Sequence, residues 1–533
     1  MIRKTAKRAV QRFQAAFGNV KNEDFDFTLI ENYYQKKDNS DAAQVLSDRT
    51  CNDLDFRELF SFVDRTYSKV GQQYLYNKLR TIPSNPTDNK KQESIISHFT
   101  DNPDVRTAVQ MKLKKLEKKE AGYIPSLIQE NHVEPPKGYF YYKLLSVTSL
   151  LLVIMFFFNS QILLPLLGVF IINLILHSLN KKNLQKYIGT IPQLLKLQKI
   201  AAELNTYKFL QTLNPALPKS LKTLNKIRNR MFFFKLEGQL EADLMLFFWA
   251  LFELFKVLFL LEPLLLFNVL KELDTKREEI EDVFTYVGKI DALISVASLR
   301  EGLGEYCIPE INEDQRSSLR AKNVYHPLIE ECVKNTINID GKSILLTGSN
   351  MSGKTSFIRT IGINALTALT LNTCFADQFS LPPLKILSAI RISDDLLNDK
   401  SYYFEEVLTI KEMLDESQSD MPNLFLLDEI YKGTNTVERI SAGKAVLSSL
   451  AQTGNIVLVS THDIELADLL HDEYELYHFS ELVSDKTVDF DYKLKDGKLK
   501  HRNAIRILQI NDYPESIIDE AIEISEKLDG EPF

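Results

Sequence analysis

Three short motifs in the C-terminal half carry residue types that suit phosphate chemistry. The first is Gly348-x-x-x-x-Gly353-Lys354-Thr355, between a strand-like run, Ser343 to Thr347, and a helical pattern. Glycines let successive backbone N–H groups face phosphate oxygens, and the following helix adds its positive N-terminal end. Lys354 would reach the β and γ phosphates, and Thr355 would place its hydroxyl on Mg²⁺. The motif predicts a site for ATP with Mg²⁺.

The second and third motifs follow two further predicted strands. Four apolar residues before Asp428-Glu429 indicate a buried parallel strand, which delivers this acidic pair to the sheet edge where the phosphate loop lies. Asp428 should hold Mg²⁺, and Glu429 should polarise an attacking water as a general base. The run from Ile456 to Ser460 ends in Thr461-His462-Asp463. We expect His462 to contact the γ-phosphate.

Composition limits the class of protein that positions these motifs. The chain has 533 residues, of which 44% are apolar and 26% charged, so extensive disorder is excluded. Its 64 basic and 72 acidic residues give a net charge of -8, which provides no overall attraction for nucleic acid. The cysteines lack metal-ligand spacing, which argues against a zinc or disulfide framework.

The segment from Leu144 to Asn180 contains no Asp, Glu, Lys or Arg. Two apolar stretches, Leu144 to Phe158 and Ile162 to Leu176, are separated by a polar turn, and each with its flanks approaches the roughly 20 residues that cross a bilayer. Lysines lie on both outer sides, which predicts that both ends are cytoplasmic. We therefore predict a two-span hairpin in contact with membrane lipid; the alternative is a buried helical hairpin in a soluble protein.

A second apolar stretch, Leu244 to Phe267, differs because it carries Glu253, Lys256 and Glu262. Glu253 and Lys256 lie three residues apart, on one helical face, which suits a helix partly buried in protein. The sequence leaves open whether this stretch is a core or dimer-contact helix or another membrane-associated segment.

The first 22 residues contain six basic residues and no acidic residue. Ala6, Val10, Phe13 and Phe17 share a face at helical spacing, with the basic residues largely opposite. Such a helix could lie on an anionic membrane surface, or it could pack against its own protein. The segment has no apolar core of the kind found in a cleaved secretory signal.

The motifs together resemble the ATPase domain of the MutS family of DNA mismatch-repair proteins, which belongs to the ABC-type ATPase class. The matching runs are TGSNMSGKTSFIRTIG, LFLLDEIYKGTNTVE and VLVSTHD. The segment FDYKLKDGKLKHRNAIRIL and a final helix from Pro514 to Leu528 resemble the dimerising end of that domain. The resemblance implies ATP hydrolysis in a homodimer.

The resemblance also implies roles for individual residues. Tyr325 and His326, in the run YHPL, would lie near the adenine, and Ser401 would reach across the dimer interface to the γ-phosphate of the partner. The predicted catalytic residues are therefore Glu429, His462, Lys354 and Ser401, and the predicted metal ligands are Thr355 and Asp428. The predicted phosphate-loop residues are Gly348, Ser349, Asn350, Met351, Ser352, Gly353, Lys354, Thr355 and Ser356.

Upstream, Asn52 to Phe60 with Asp64, Gly71 and Leu75 resembles the start of the family's core and lever region. The stretch before Cys51 is too short for the family's N-terminal mismatch-reading domain. The hairpin occupies chain positions where the family continues its lever and clamp. The resemblance is thus specific for ATPase chemistry and weak for DNA recognition.

These observations predict an α/β C-terminal P-loop ATPase domain with a mostly parallel sheet, preceded by an all-α lever region that carries a transmembrane helical hairpin. The predicted segments are 1–48 (basic amphipathic), 49–136 (first part of the lever), 137–182 (membrane hairpin), 183–309 (second part of the lever) and 310–533 (ATPase domain).

The predicted protein is a multi-pass cell-membrane ATPase with a cytoplasmic catalytic domain, which couples a dimeric composite site to lever movement, with DNA as the expected ligand. The alternative is a membrane-bound scaffold or mechanoenzyme that moves a protein partner without binding DNA. An ABC transporter subunit is disfavoured because two short spans make a poor translocation path and no LSGGQ run precedes Asp428.

Overall fold

The computed structural model of this chain describes residues 2–85, 88–243, 246–349, 351–391, 402–452, 454–483, 488–499, 504–511 and 513–529. The chain divides into two compact units. Unit 1 comprises Met1–Asp38, Val63–Lys78 and Lys91–Gly302, and unit 2 comprises Asn39–Phe62, Leu79–Lys90 and Leu303–Phe533. Two short N-terminal segments therefore fold with the C-terminal part, an interleaving that the five predicted segments did not include. Those segment boundaries stay predictions.

Unit 1 is built from α-helices with short 3₁₀ turns between some of them. The helices that lie wholly or mostly in it are α1 Ile2–Ala16, α2 Phe27–Ile30, α3 Asn32–Lys36, α6 Lys69–Arg80, α7 Asp88–Asp101, α8 Pro103–Leu113, α9 Pro125–Gln129, α10 Tyr139–Phe156, α11 Leu163–Leu204, α12 Leu217–Asp243, α13 Leu246–Leu258, α14 Leu261–Asp274 and α15 Arg277–Gly302. The 3₁₀ turns are Lys114–Leu116, Lys119–Tyr123, Ser160–Ile162 and Lys208–Leu213.

Helices α6 and α15 approach each other closely at Gly71. A Cβ atom there would lie 2.2 Å from Oδ2 of Asp291, so no larger residue fits without a shift. Asp291 accepts hydrogen bonds from the backbone N–H groups of Tyr67 and Ser68 and from the Ser68 hydroxyl. Burial raises the pKa of Asp291 to about 6. The carboxylate thereby caps the N-terminal end of α6 from a neighbouring helix.

The N-terminal helix α1 packs against its own unit. The Phe13 ring lies 5.2 Å from the Tyr67 ring, and the Arg106 guanidinium lies 3.5 Å from the centroid of Phe17. Two aromatic side chains of the apolar face therefore contact this unit, which favours the second of the two interpretations of this segment. Three basic side chains of the opposite face are exposed, namely Lys7, Arg8 and Arg12.

Helices α10 and α11 form an apolar hairpin around the turn at Ser160–Ile162. Two stretches, Tyr139–Phe156 and Ser160–Lys181, have mean hydropathies of 1.6 and 2.3, and only 11% of each is buried. Their length and composition suit a membrane crossing. A buried hairpin in a soluble protein would have these residues inside, so the exposure argues against that alternative.

The second apolar stretch forms two helices, because the chain turns at Leu260, which has φ +47°. Lys256 on α13 is 1% exposed and lies 2.8 Å from Glu253 and 3.1 Å from Glu262. The charged face is thus neutralised within the protein, as the core interpretation requires. Three apolar side chains of α13 are more than half exposed, namely Leu251, Leu254 and Phe255.

Unit 2 is an α/β unit. Its strands are β1 Ala42–Val45, β2 Thr81–Pro83, β3 Glu310–Ile311, β4 Ser318–Val324, β5 Asn335–Asp340, β6 Ser343–Gly348, β7 Gln378–Leu381, β8 Lys385–Ala389, β9 Asn423–Asp428, β10 Ile456–Thr461, β11 Tyr474–Phe479, β12 Glu481–Val483, β13 Val488–Phe490 and β14 Lys495–Asp496. Its helices are α4 Asp48–Asp53, α5 Phe56–Val63, α16 Lys354–Leu371, α17 Tyr402–Glu416, α18 Thr436–Leu450, α19 Ile464–Leu470, α20 Ala504–Ile510 and α21 Glu515–Asp529.

The main sheet has the order β14-β11-β6-β10-β9-β8. All of its described pairs are parallel except the pairing of β14 with β11 at one edge. A smaller sheet has the order β3-β7-β4-β5. Since neighbouring parallel strands present their carboxyl ends at one edge, β6, β9 and β10 bring their following residues together.

Helix α16 packs closely on this sheet. A Cβ atom at Gly362 would lie 2.5 Å from the Leu426 side chain on β9 and 2.7 Å from Leu54, so a glycine permits this contact. Fifteen of the residues of α16 are buried, including Lys354 at its first position. The helix therefore fixes the loop that precedes it.

Candidate nucleotide-binding site

The phosphate loop connects the end of β6 to the start of α16. Its backbone has positive φ angles at Gly348 (153°), Met351 (68°) and Gly353 (105°). A Cβ atom at Gly348 would lie 2.7 Å from the Phe479 carbonyl oxygen, so the tight curvature needs glycine here. This curvature lets the loop enclose a ligand with its N–H groups.

Lys354 is buried at the base of this loop. Its Nζ donates to the carbonyl oxygens of Gly348 at 2.8 Å and Ser349 at 2.9 Å, and lies 3.5 Å from Nε2 of His462. Burial lowers the pKa of Lys354, while the carboxylates of Asp428 and Glu429 act in the opposite direction. The ammonium group is thus held at the loop next to the acidic pair.

Thr355 and Asp428 meet across the sheet edge. The Thr355 hydroxyl donates to Oδ2 of Asp428 at 2.8 Å, and the Ser460 hydroxyl donates to the other carboxylate oxygen. Mg²⁺ prefers hard oxygen ligands and keeps several waters or phosphate oxygens, so one hydroxyl with one carboxylate fits its chemistry. The described residues contain no cluster of three or more His, Cys, Asp or Glu that could hold a metal without a ligand's help.

Glu429 follows β9 in a left-handed backbone conformation, with φ 53°. Its N–H donates to the Ser460 carbonyl oxygen at 2.9 Å, and its carboxylate lies 2.8 Å from Nε2 of His462 and 2.6 Å from Nζ of Lys432. Burial alone would raise the pKa of Glu429, but the hydrogen bonds with His462 and Lys432 lower it to about 2. Positive φ at a residue other than glycine is costly and concentrates at functional sites.

The residue after His462 is fixed by an ion pair. Arg439 on α18 forms a bidentate contact with Asp463, at 2.8 and 2.6 Å. Bidentate Arg–carboxylate pairs are directional as well as strong. The pair therefore fixes the turn that presents His462 to Glu429.

Three residues that the sequence analysis did not select complete this cluster. Ser460 donates to Asp428, Lys432 pairs with Glu429, and the Ser349 hydroxyl donates to the Glu481 carboxylate at the start of β12. Ser460 could have been found as the polar residue that ends an apolar strand. Nothing in the spacing of Glu481 connects it to a loop that lies more than a hundred residues earlier.

The remaining predicted site residues differ in their burial, and two of them are not described. Ser352 is buried and donates to the Ser349 carbonyl oxygen at 2.8 Å, while Met351 and Ser356 are exposed. Asn350 and Ser401 lie outside the described residues. Their predicted roles stay predictions.

Tyr325 and His326 are held by a neighbouring part of unit 2. The Tyr325 ring packs 6.1 Å from the Phe375 ring, and burial lowers the pKa of His326 to about 4. Among the described contacts, none joins either residue to the phosphate loop. Their proposed place near the adenine therefore depends on the resemblance alone.

Comparison with known proteins shows which proteins this part of the chain is similar to. The profile of MutS domain V matches residues 344–529. The chain is 30% identical over 274 residues to the DNA mismatch repair protein MutS of Aquifex pyrophilus, covering 50% of this chain and 31% of that protein. It is also 30% identical over 276 residues to MutS of Thermotoga maritima, covering 50% and 34% of the two chains.

The match therefore spans about a third of the length of the curated relatives and half of this chain. Domain V is a P-loop ATPase-type domain, which agrees with the parallel sheet and the phosphate loop of unit 2. Residues 344–529 are thus similar to MutS domain V, and about half of this chain is similar to part of the MutS mismatch repair proteins.

Proposed function

We propose that this chain is a membrane-anchored ATPase of the MutS type. The observation that carries the proposal is the convergence of Lys354, the Thr355–Asp428 contact at 2.8 Å and the Glu429–His462 contact at 2.8 Å on one sheet edge. A fixed cation, hard oxygen ligands and a general base are the parts that hydrolysis of a phosphoanhydride requires.

In this proposal the loop and Lys354 bind the β and γ phosphates. Mg²⁺, held by Thr355 and Asp428, would supply neutralising charge for the phosphate oxygens. The Lys354 ammonium exchanges the carbonyl oxygens of its own loop for phosphate oxygens, so the buried cation keeps polar partners in both states. The Ser349 hydroxyl likewise exchanges the Glu481 carboxylate for the ligand.

Glu429 acts as the general base in this proposal. With a pKa of about 2, its carboxylate is ionised but weakly basic while Lys432 and His462 both hold it. Loss of either partner raises its basicity. We infer that ATP binding draws Lys432 or His462 towards phosphate and so activates Glu429 for water.

The proposed assembly is a homodimer in which Ser401 of one chain completes the site of the other, as the resemblance implies. Shared ATP would then stabilise the dimer through binding to the associated state alone. The membrane part of the proposal depends on the exposed hairpin of α10 and α11, and the lipid contact is assigned to the segment from Leu144 to Asn180.

Hydrolysis is proposed to drive movement of the helical unit, with DNA as the ligand on which it acts. The names of the relatives, DNA mismatch repair proteins, support this ligand. The second candidate is movement of a protein partner, which the net charge of -8 favours over a nucleic acid. Turnover in the presence of duplex, branched and single-stranded DNA separates the two: stimulation by DNA supports the first, and equal rates support the second.

The direct test of the chemistry is Glu429→Gln in the full chain, purified in neutral detergent. ATP turnover should fall by about 10²- to 10⁴-fold, because a positioned general base is lost, while ATP affinity stays within about twofold. Glu412→Gln is the matched control, since Glu412 pairs with Arg49 on an exposed surface. Equal turnover in Glu429→Gln and the control would refute the assigned base.

A further inference from the structure

Unit 1 contains a cavity of about 1910 Å³ that the ATPase proposal does not use. Its walls come from the 3₁₀ turns after α8, the C-terminal half of α11, α12 and the junction of α13 with α14. Typical pockets for small ligands occupy roughly 300–1,000 Å³, so this cavity has room for a large one.

The cavity wall carries an excess of positive charge. Ten lysine and arginine residues line it against five glutamates. Glu253 and Glu262 neutralise the buried Lys256, and Glu203 lies 3.0 Å from Lys112, which is outside the lining. Glu117 lies 3.6 Å from Lys114 and Glu120 acts on Lys196, so the wall keeps an excess of positive charge after these glutamates are counted.

Several of these cations form no ion pair with a carboxylate that the structure describes. Among the Asp and Glu side chains described, none lies within 4.0 Å of five lining residues, namely Lys115, Lys118, Lys181, Lys196 and Arg228. Burial lowers the pKa of Lys196, and the neighbouring Lys118 lowers it further, while the Glu120 carboxylate acts in the opposite direction. Cations held close together in a partly enclosed space repel one another, and a bound anion would relieve this repulsion.

The lining also includes uncharged groups, which would contact the uncharged part of a ligand. Amide side chains from α11 and α12 contribute, and Gln198 donates to Asn225 at 3.1 Å. Phe252 and Leu195 add apolar surface. Fifteen of the 29 lining residues are charged, so the wall suits a charged ligand, and its apolar groups would contact an uncharged part of that ligand.

Two other anionic ligands fit this geometry less well. Lys196 is 15 residues beyond Lys181, the end of the apolar leg of α11, and a helix rises about 1.5 Å per residue, so the lysine lies roughly 22 Å from that end. A lipid headgroup at the end of the hairpin could contact Lys181 but would not reach Lys196 at the other end of the cavity. Duplex DNA is recognised on open surfaces and grooves, whereas this space is bounded by helices on several sides.

We propose that this cavity binds a soluble anion with several phosphate groups, of the class of nucleoside polyphosphates or inorganic polyphosphate. Lys118 and Lys196 contact the phosphates, and the amide and apolar groups contact whatever the phosphates carry. The site is separate from the phosphate loop, because all of its lining residues belong to unit 1.

The test uses the full chain in neutral detergent with Lys354→Ala, which weakens the phosphate loop as a competing site. Calorimetric titration with inorganic tripolyphosphate should detect binding that weakens with salt. Adding Lys118→Gln and Lys196→Gln should weaken it about tenfold or more, because hydrogen bonds to charged groups are lost. Adding Lys222→Gln and Lys226→Gln, exposed residues of α12 outside the lining, should leave the affinity within about twofold.

Parallel titrations distinguish the source of the phosphates. Tighter binding of ADP than of tripolyphosphate supports a nucleotide, and the reverse order supports inorganic polyphosphate. Three results would overturn the proposal: absence of tripolyphosphate binding, equal affinity in the Lys118/Lys196 and Lys222/Lys226 variants, or binding of short-chain phosphatidylglycerol or single-stranded DNA that displaces tripolyphosphate.

Folding of the variants is checked independently of affinity. Tripolyphosphate should raise the melting temperature of the Lys354→Ala chain and of the Lys222/Lys226 variant, because a ligand that binds only the folded state stabilises it. Without ligand, the Lys118/Lys196 variant should melt at a temperature no lower than that of Lys354→Ala, because repulsion between two cations is removed, and tripolyphosphate should no longer raise it. Because the phosphate loop is weakened throughout, these results do not depend on whether the chain hydrolyses ATP.

Discussion

Two apolar helical regions of this chain differ in what surrounds them. Helix α16 is buried along most of its length against the strands of unit 2, whereas the hairpin of α10 and α11 exposes most of its apolar side chains. Apolar composition therefore does not say what a helix contacts. The first region holds a phosphate loop within the protein, and the second lacks the partner that its surface needs, which lipid would supply.

The same substitution in both regions gives the largest contrast in stability. Leu366 on α16 is 0% exposed, and Leu151 on α10 is 55% exposed. Leu366→Ala should lower the free energy of unfolding by about 2–5 kcal/mol, because a buried cavity is left. Leu151→Ala should change it by less than about 0.5 kcal/mol in detergent, since its surroundings remain detergent after unfolding.

Chemical denaturation of the full chain in one detergent, followed by circular dichroism, measures both variants. Equal losses of stability would contradict the contrast, because they would show that Leu151 is packed against protein as Leu366 is.

Titration of His326 tests how tightly the interior of unit 2 is packed. Burial holds the pKa of this imidazole at about 4, below the value of 6.5 for an exposed histidine. The unfolded chain therefore binds the extra proton first, so stability is complete above about pH 6.5 and decreases as the pH falls towards 4. Protonation of His326 lowers the free energy of unfolding by at most about 3 kcal/mol.

The wild-type chain should thus lose more stability between pH 7 and pH 4.5 than His326→Gln. His471→Gln, which removes an exposed imidazole, serves as the control and should follow the wild type. If all three chains lose the same stability over this range, His326 is hydrated, and its assignment to a buried environment is wrong. Thermal melting at a series of pH values provides the comparison.

A smaller effect than those of Leu366 and His326 is expected from the polar contact of the hairpin. Asn173 donates to the Ser149 hydroxyl at 3.0 Å and to the Leu258 carbonyl oxygen at 2.8 Å. Ser149→Ala should cost about 0.6 kcal/mol, the usual value for an interhelical hydrogen bond in a membrane protein. A loss of several kcal/mol, measured by the same denaturation, would indicate that the two legs depend on protein packing.

The sequence predicts the local features of both regions well, because each is a continuous stretch with its own physical pattern. The loop at Gly348, the pair Asp428-Glu429 and the charge-free segment after Leu144 are of this kind. The final helix was expected from Pro514 to Leu528 and runs Glu515–Asp529.

Features that arise from contacts between distant segments were not predictable. Gln44 on β1 exchanges two hydrogen bonds of 2.7 Å with the backbone of Ile386 on β8, which ties an N-terminal segment to the main sheet of unit 2. The roles of Lys432 and Glu481 likewise depend on side chains that meet only after folding. The turn at Leu260 was missed because a leucine at positive φ gives no compositional warning.

Flotation on liposomes tests the central claim, that the hairpin binds the bilayer while unit 2 hydrolyses ATP. The full chain is reconstituted, washed in high salt and floated, and ATP turnover is measured in each fraction. We predict that the wild type floats with its turnover, whereas Leu151→Arg with Leu167→Arg stays at the bottom and remains active, since each arginine costs about 2.5–3.5 kcal/mol at the centre of a span. Equal flotation of both chains after the salt wash, or a wild type that does not float, would contradict the account.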